Sequence, residues 1–281
     1  MSDAPQRRMP RPGTLLVLAA TVGLAVVWAL PFVWALLTSL KPESETTQVP
    51  LRWLPSEPTL EAYRAVLGMS DLWVWLFNSV LTAGVTTVLV LLLSSMAAYG
   101  FARTEFRGRK VLLGLIVAGI LVPPEVLIVP LFQEMSAFGL VDTHWGIILP
   151  QVVLPAMVYI LTVFFEGLPR ELEEAAVMDG ASRLRIYWQI ILPLSRPVLA
   201  AVGIFTFITT WNNFLWPFIV TADPDSMTLP VGLATVQGTY GVRYAEIMAT
   251  VIIAGLPLLL VFVLFQRQIV RGVAFTGLAG R

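Results

Sequence analysis

The side chains best suited to hold a ligand lie in one short run, Trp211-Asn212-Asn213-Phe214-Leu215-Trp216. Indole faces stack on sugar rings, and carboxamides exchange hydrogen bonds with hydroxyls. On a helix, Asn212 and Trp216 share one face at i, i+4 spacing. The same tryptophans would serve equally as anchors where a membrane helix meets water. Glu125 follows Pro123 and Pro124 inside an apolar stretch. A carboxylate there lines a wet cavity, holds a broken helix end, or sits hydrated at a membrane face. Asn78 and Tyr159 are further polar candidates, with helix–helix hydrogen bonding as the competing role.

Covalent and metal chemistry find little to work with. The chain has no cysteine, which excludes thiolate ligands, disulfides and thiol nucleophiles, and its one histidine, His144, forms no metal cluster or catalytic pair by itself. No G-x-x-x-x-G-K-[ST] phosphate loop occurs, so ATP and its Mg would be bound by partners rather than by this chain. No cofactor, metal or catalytic residue is expected, and the chain reads as no enzyme. Zero net charge argues against nucleic acid as a partner.

These candidates must be positioned by elements that live in lipid. Of 281 residues, 57% are hydrophobic and only 13% charged, against about 25% charged in soluble domains. Six stretches approach the roughly 20 apolar residues that a bilayer crossing needs: about Thr14–Leu37, Leu76–Tyr99, Val111–Phe132, Gly146–Phe165, Val198–Val220 and Ile247–Phe265. The first is too long for a signal-peptide core and reads as a retained anchor. The expectation is an all-α, single-domain membrane protein over residues 1–281.

Lys and Arg fall unevenly on the two sides of these spans. Arg7, Arg8, Arg11, Arg103, Arg107, Arg109, Lys110, Arg170, Arg183, Arg185, Arg196, Arg267, Arg271 and Arg281 lie on one side, fourteen in all; Lys41, Arg52, Arg64 and Arg243 lie on the other. The positive-inside rule places the fourteen, and both termini, in the cytoplasm. Outer loops then cover about 38–75, 133–145 and 221–246, with Thr59 as a cap before Leu60–Leu67 and His144 as a solvated loop residue. A cytoplasmic tail covers about 266–281.

The cytoplasmic segment 167–197 reads as helix–turn–helix. Pro169 suits a first turn, and Glu171, Glu173 and Glu174 favour the positive end of the helix dipole. Gly180 suits a left-handed stop and Ser182 the next cap. Leu184, Tyr187, Trp188 and Ile191 then form an apolar stripe. Ala175 and Ala176 would let a partner's backbone approach beside Glu174. A surface helix lying on its own bundle is the alternative.

This segment resembles the EAA motif of binding-protein-dependent ABC importer permeases: E-A-A, three residues, G, nine residues, I-x-L-P. Glu174, Ala175, Ala176, Gly180, Ile190, Leu192 and Pro193 occupy its positions, and Asp179 and Ala181 extend it to D-G-A. The wider chain resembles the smaller permease subunit of maltose-type carbohydrate importers. Supporting stretches are Ala97–Arg103, Val122–Glu125 with Ile128–Pro130, Trp211–Pro217, Thr228–Val231 and Phe265–Gly272.

The resemblance implies the type I importer permease fold, a second permease subunit, two ATPase subunits that dock on this segment, and an extracytoplasmic binding protein. It implies that the third outer loop, with Asp225, Gln237 and Tyr240, reaches the binding protein, and that the tail after Phe265 touches the ATPase interface. A neutral sugar is the expected cargo, since the spans carry no buried Lys or Arg to clamp a phosphate. Glycerol-3-phosphate or a glycerophosphodiester is the alternative cargo. An ion-coupled carrier is disfavoured by the scarcity of membrane carboxylates.

Overall fold

The structure, a computed structural model, describes residues 12–239 and 242–278, and these form helices and turns with no strand. Two compact units partition them: residues 12–68 with 242–253, and residues 69–239 with 254–278.

In the first unit, α1 (Pro12–Ser39) is followed by the short α2 (Glu43–Thr46) and α3 (Glu61–Leu67). The α1 surface is apolar all round, with Leu16, Trp28 and Phe32 exposed, as suits a helix whose solvent is hydrocarbon. Its end is anchored by packing: Lys41 Nζ lies 4.8 Å from the Trp34 ring centroid, and Trp34 meets Trp53 edge-on. Ser39 and Tyr63 share a hydrogen bond of 2.8 Å. Thr59 Oγ1 accepts from Glu61 N–H, but α3 starts at Glu61 with Leu60 at the cap position, so Thr59 stands one residue before the cap. The Glu43 carboxylate accepts from the backbone N–H groups of Tyr244 and Ala245, placing an anion at the open end of the last helix.

In the second unit, α4 (Ser70–Arg103) is the central element. At 1.5 Å per residue its 34 residues run about 51 Å. Its buried face is small and hydroxylated (Ser79, Thr82, Ala83, Thr86, Ser94, Ser95, Ala98), while Trp73, Phe77, Val88 and Leu93 point outward. Small residues let membrane helices approach closely. Several of these hydroxyls are satisfied locally, Thr82 donating to Asn78 O, Thr87 to Ala83 O and Ser95 to Leu91 O, whereas the buried Thr86 Oγ1 has no hydrogen-bond partner. The chain continues through α5 (Arg109–Gly119), a 3₁₀ turn at Pro124–Leu127, α6 (Ile128–Ala137), α7 (His144–Ile148), a 3₁₀ turn at Leu149–Gln151 and α8 (Pro155–Glu166). Then come α9 (Glu171–Met178), α10 (Arg183–Ile186), a π turn at Tyr187–Ile191, α11 (Leu192–Leu194) and α12 (Arg196–Trp211). Past α12 lie α13 (Leu215–Val220), a 3₁₀ turn at Pro224–Ser226, α14 (Leu229–Thr239) and α15 (Tyr244–Leu278). α4 packs against α7, α8, α12 and α14.

Three described helices are long and apolar enough to cross a membrane unaided: Leu16–Ser39, Ser70–Arg103 and Tyr244–Gln266. The others are bent. The third span is no single rod: α5 and the Pro124–Ala137 segment meet at 95°, because Pro123 and Pro124 remove backbone donors. The fourth bends by 47° between His144–Gln151 and Pro155–Glu166. The fifth ends at Trp211, and the segment 183–194 joins it at 79°.

Several loop boundaries also differ from the sequence reading. Residues 229–239 of the expected third outer loop are helical, α4 begins at Ser70 within the expected first loop, and α6 carries on to Ala137. The expected tail from residue 266 instead continues α15 to Leu278.

Candidate functional site

The segment between α8 and α12 folds as an elbow whose shape follows from a few residues. α9 begins at Glu171, so Pro169 lies just outside it rather than in its first turn, and the N–H groups of Glu173 and Glu174 reach Arg170 O at 3.0 Å. Its end is a Schellman motif. Ala181 N–H bonds to Ala176 O and Gly180 N–H to Val177 O, both at 2.9 Å, while Gly180 sits at φ +77°. Ala176 and Ala181, the two residues flanking this cap, pack against the core of Val90, Ala98, Leu161, Phe165, Ile186 and Ile191. The alanine and glycine of the motif therefore have distinct physical tasks: one fits the core, the other takes a left-handed turn. Ser182 Oγ accepts from Arg185 N–H and caps α10 as expected.

The second half of the elbow departs from the expected stripe. Leu192 N–H bonds to Tyr187 O, five residues back, which widens the helix into a π turn. Pro193 explains the need, because its ring would meet the Gln189 carbonyl in a regular α turn. The register shift buries Ile186, Tyr187 and Ile191 and leaves Leu184 and Trp188 exposed. Tyr187 hydrogen-bonds Ser95 at 2.7 Å. Burial pushes its phenol pKa up, and the Ser95 bond offsets part of that rise, so the group stays protonated near neutrality.

The outward side of the elbow presents Glu174, Ala175, Asp179 and Gly180 together with the apolar side chains Leu172, Val177, Met178, Leu184 and Trp188. Met178 is 87% exposed. Leu192 and Pro193 are half-buried. Sequence reasoning missed Leu172, Val177 and Met178, because the three lie on different sides of α9 and form no periodic stripe.

The Trp/Asn run is split. α12 stops at Trp211 and α13 starts at Leu215, so Asn212 and Trp216 do not share a helical face. Trp211 is buried and stacked on Phe207, and Trp216 is buried with its indole N–H donating to Gly146 O at 3.1 Å. Asn212 is exposed. Asn213 Nδ2 donates to Gln151 Oε1 at 2.8 Å, so the interruption after α12 meets the one before α8. Glu125 is exposed on its 3₁₀ turn, and Tyr159 is exposed on α8.

Asn78 has a structural task instead of a ligand-facing one. It is 2% exposed, and its Nδ2 donates to Asp225 O and Met227 O. Its Oδ1 is paired with His144 Nε2 at 2.8 Å, so His144 is a half-buried partner rather than a solvated loop residue. Because Nδ2 is the amide donor, the His144 nitrogen carries the proton of that bond. Trp75 Nε1 donates to Pro224 O, and Ser79 Oγ accepts from Leu229 N–H. Asp225 itself is exposed; the side chain of Gln237, on α14, and all of Tyr240 lie outside the described residues. A cavity of about 370 Å³ beside this network is lined by Leu81, Asp142, Thr143, His144, Trp145 and Ser226, among others, and by none of the ligand candidates named above.

Apolar helices fit for crossing a membrane, three of them bent pairs, and a capped elbow with a mixed apolar and acidic face define a helical membrane protein with one exposed interaction surface. Residues 90–274 match the family described as "Binding-protein-dependent transport system inner membrane component", and the chain belongs to that family. It is therefore a multi-pass inner-membrane subunit of an ABC importer that depends on a binding protein. The chain is 37% identical over 268 residues to the sulfoquinovosyl glycerol transport system permease protein of Agrobacterium fabrum, covering 95% of this chain and 94% of that protein. It is 36% identical over 261 residues to the arabinooligosaccharides transport system permease protein of Bacillus subtilis, covering 92% of each. With the trehalose/maltose transport system permease protein of Thermococcus litoralis it shares 34% identity over 95% of this chain and 97% of that one. The fold matches the crystal structure of a bacterial ABC transporter involved in the import of the acidic polysaccharide alginate, with a TM-score of 0.80 at 22% identity over 92% of this chain and 98% of that chain.

Proposed function

We propose that this chain imports a carbohydrate as one of two permease subunits, driven by ATP hydrolysed in partner ATPases that dock on the elbow. The single observation that carries the docking is the elbow's outward face. Glu174 and Asp179 stand beside Leu172, Val177, Met178, Leu184 and Trp188 on a backbone fixed by the Gly180 cap. Exposed apolar side chains rimmed by charge mark interaction surfaces. ATP and Mg belong to those partners. The uneven Lys and Arg distribution supports a cytoplasmic elbow and cytoplasmic termini.

The carbohydrate reading rests on the relatives, several of which are named for sugars; this favours a carbohydrate over the glycerophosphate compounds. Asn212, Asn213, Glu125 and Tyr159 remain the substrate-path residues, supported by the breaks in the third and fifth spans. Interrupted backbone at membrane depth is tolerated where it lines a cavity or is buried in protein. The loop and helix from Ala222 to Thr239, with Asp225, Gln237 and Tyr240 at or beyond it, would meet the binding protein.

Uptake by proteoliposomes holding the complex co-purified through this chain, with the binding protein and a panel of radiolabelled oligosaccharides, tests the reading. ATP-dependent accumulation of at least one sugar is expected. Accumulation that persists after removal of the ATPase subunits would overturn it.

A further inference from the structure

One guanidinium joins three elements beside the elbow: α4, the end of α8 and α9. Arg103 is the last residue of α4, and its side chain is 2% exposed. Its Nη2 donates to the carbonyls of Phe165 and of Leu168, the latter at 2.6 Å. These carbonyls stand where α8 ends and the chain turns toward α9, so the guanidinium occupies the negative end of the α8 dipole. Its Nε lies 3.1 Å from Glu173 Oε1 in the first turn of α9, where the carboxylate is 16% exposed. A buried cation left without a partner is unfavourable, so Arg103 is retained by these contacts, with Nε and Glu173 Oε1 forming an ion pair and not an aligned hydrogen bond.

Two further ties run from the same helix. Tyr99 Oη donates to Arg183 O at 3.4 Å, and Ser95 bonds Tyr187 across the π turn. Beneath them Ala98 and Ala102 pack with Phe165, Ile186 and Ile191. α9 thus has a charged link to α4, whereas the neighbouring motif residue Glu174 points away from the bundle.

We infer that the Arg103–Glu173 pair is the positioning link that makes α4 and the elbow move as one body, so that a push on α9 is delivered to the longest helix of the bundle. This rests on the reading of the elbow as an ATPase contact. Neither residue touches cargo or nucleotide; both act through the helices they join. Division of labour follows: Glu174 faces outward to the engine, and Glu173 faces inward to the load.

The test needs no knowledge of the cargo. The chain lacks cysteine, so spin labels can be placed at Leu172→Cys on α9 and Met96→Cys on α4, both exposed, in the complex purified through this chain. Pulsed EPR is recorded without nucleotide and with ATP plus vanadate. With Arg103 and Glu173 intact the distance should stay fixed. With Arg103→Gln or Glu173→Gln it should broaden or shift on ATP by about 2 Å or more, the scale of helix shifts at interfaces. The double variant should be no worse than the worse single, since both remove one interaction.

A shift of that size in the unsubstituted pair, or variants as fixed as the parent, would overturn the inference. Should Arg103→Gln fail to assemble, Glu173→Gln carries the test, because it leaves Arg103 its two carbonyl partners. A photocrosslinker at Met178 separates the two readings. Capture of the ATPase subunit alongside an unchanged EPR pattern in the variants removes only the Arg103–Glu173 link, whereas absence of capture from the parent complex removes the docking assignment itself.

Discussion

Replacing Gly180 by alanine perturbs the elbow through backbone handedness alone. Nothing lies within 4 Å of where a Cβ would sit, so no clash is introduced. The residue nevertheless stands at φ +77°, where an L side chain costs roughly 1–2 kcal/mol. That strain falls on two hydrogen bonds, Gly180 N–H to Val177 O and Ala181 N–H to Ala176 O. One or two kcal/mol multiplies the open population of a local structure by about 5–30. Hydrogen exchange of the peptide covering residues 171–186, measured by mass spectrometry on the detergent-purified complex, should accelerate by that factor at these amides. Gly180→Asn should accelerate less, because asparagine tolerates the left-handed region, and Gly180→Val more. Equal protection across glycine, asparagine, alanine and valine would refute the reasoning, since steric room is the same and only handedness distinguishes them.

Other expectations follow from equally local contacts. Gly232→Ala would place a Cβ 2.1 Å from Trp75 Cδ2; Trp75 is buried and held by Pro224 O, so overpacking by about 1–3 kcal/mol or more should lower the thermal midpoint of the purified protein. Asn78→Ala strands Asp225 O, Met227 O and His144 Nε2 at about 1–3 kcal/mol for each group that stays dry. It should lower the midpoint and expose residues 223–228 to limited proteolysis, while His144→Ala does less. Ser182→Ala removes the α10 cap, worth about 1 kcal/mol, and should speed exchange at the Arg185 amide without affecting α8.

Long apolar runs were legible because a bilayer crossing demands them, and α1, α4 and α15 stand close to where composition placed them. The elbow's cap was legible for a similar reason: glycine after a helical run and serine two residues on have local meanings that tertiary context did not alter. What escaped notice depends on neighbours distant in sequence. The break at Asn212–Phe214 is hidden by flanking apolar residues, and its partner Gln151 lies 62 positions away from Asn213. The π turn at Tyr187–Ile191 shifts the buried face by a fraction of a turn, which no 3.6-residue pattern registers. Arg103 and Glu173 carry no local mark of being joined. Arg103 read as one of the cytoplasmic cations and Glu173 as a first-turn acid, and only the packing of α4 beside α9 joins them.

The hydroxyls along α4 have a mechanical consequence. Thr82 and Thr87, like Thr162 on α8, give their protons to carbonyls one turn earlier in their own helices. At that depth Val90 and Leu91 meet Met157, Leu161 and Val202 through dispersion contacts, which re-form after a small slip. Strong polar fastenings sit toward the ends, at Asn78 and at Arg103. A rod fastened near both ends, and held to Val202 of α12 by dispersion in between, can rock against α12 while its Arg103 end stays joined to α8 and α9.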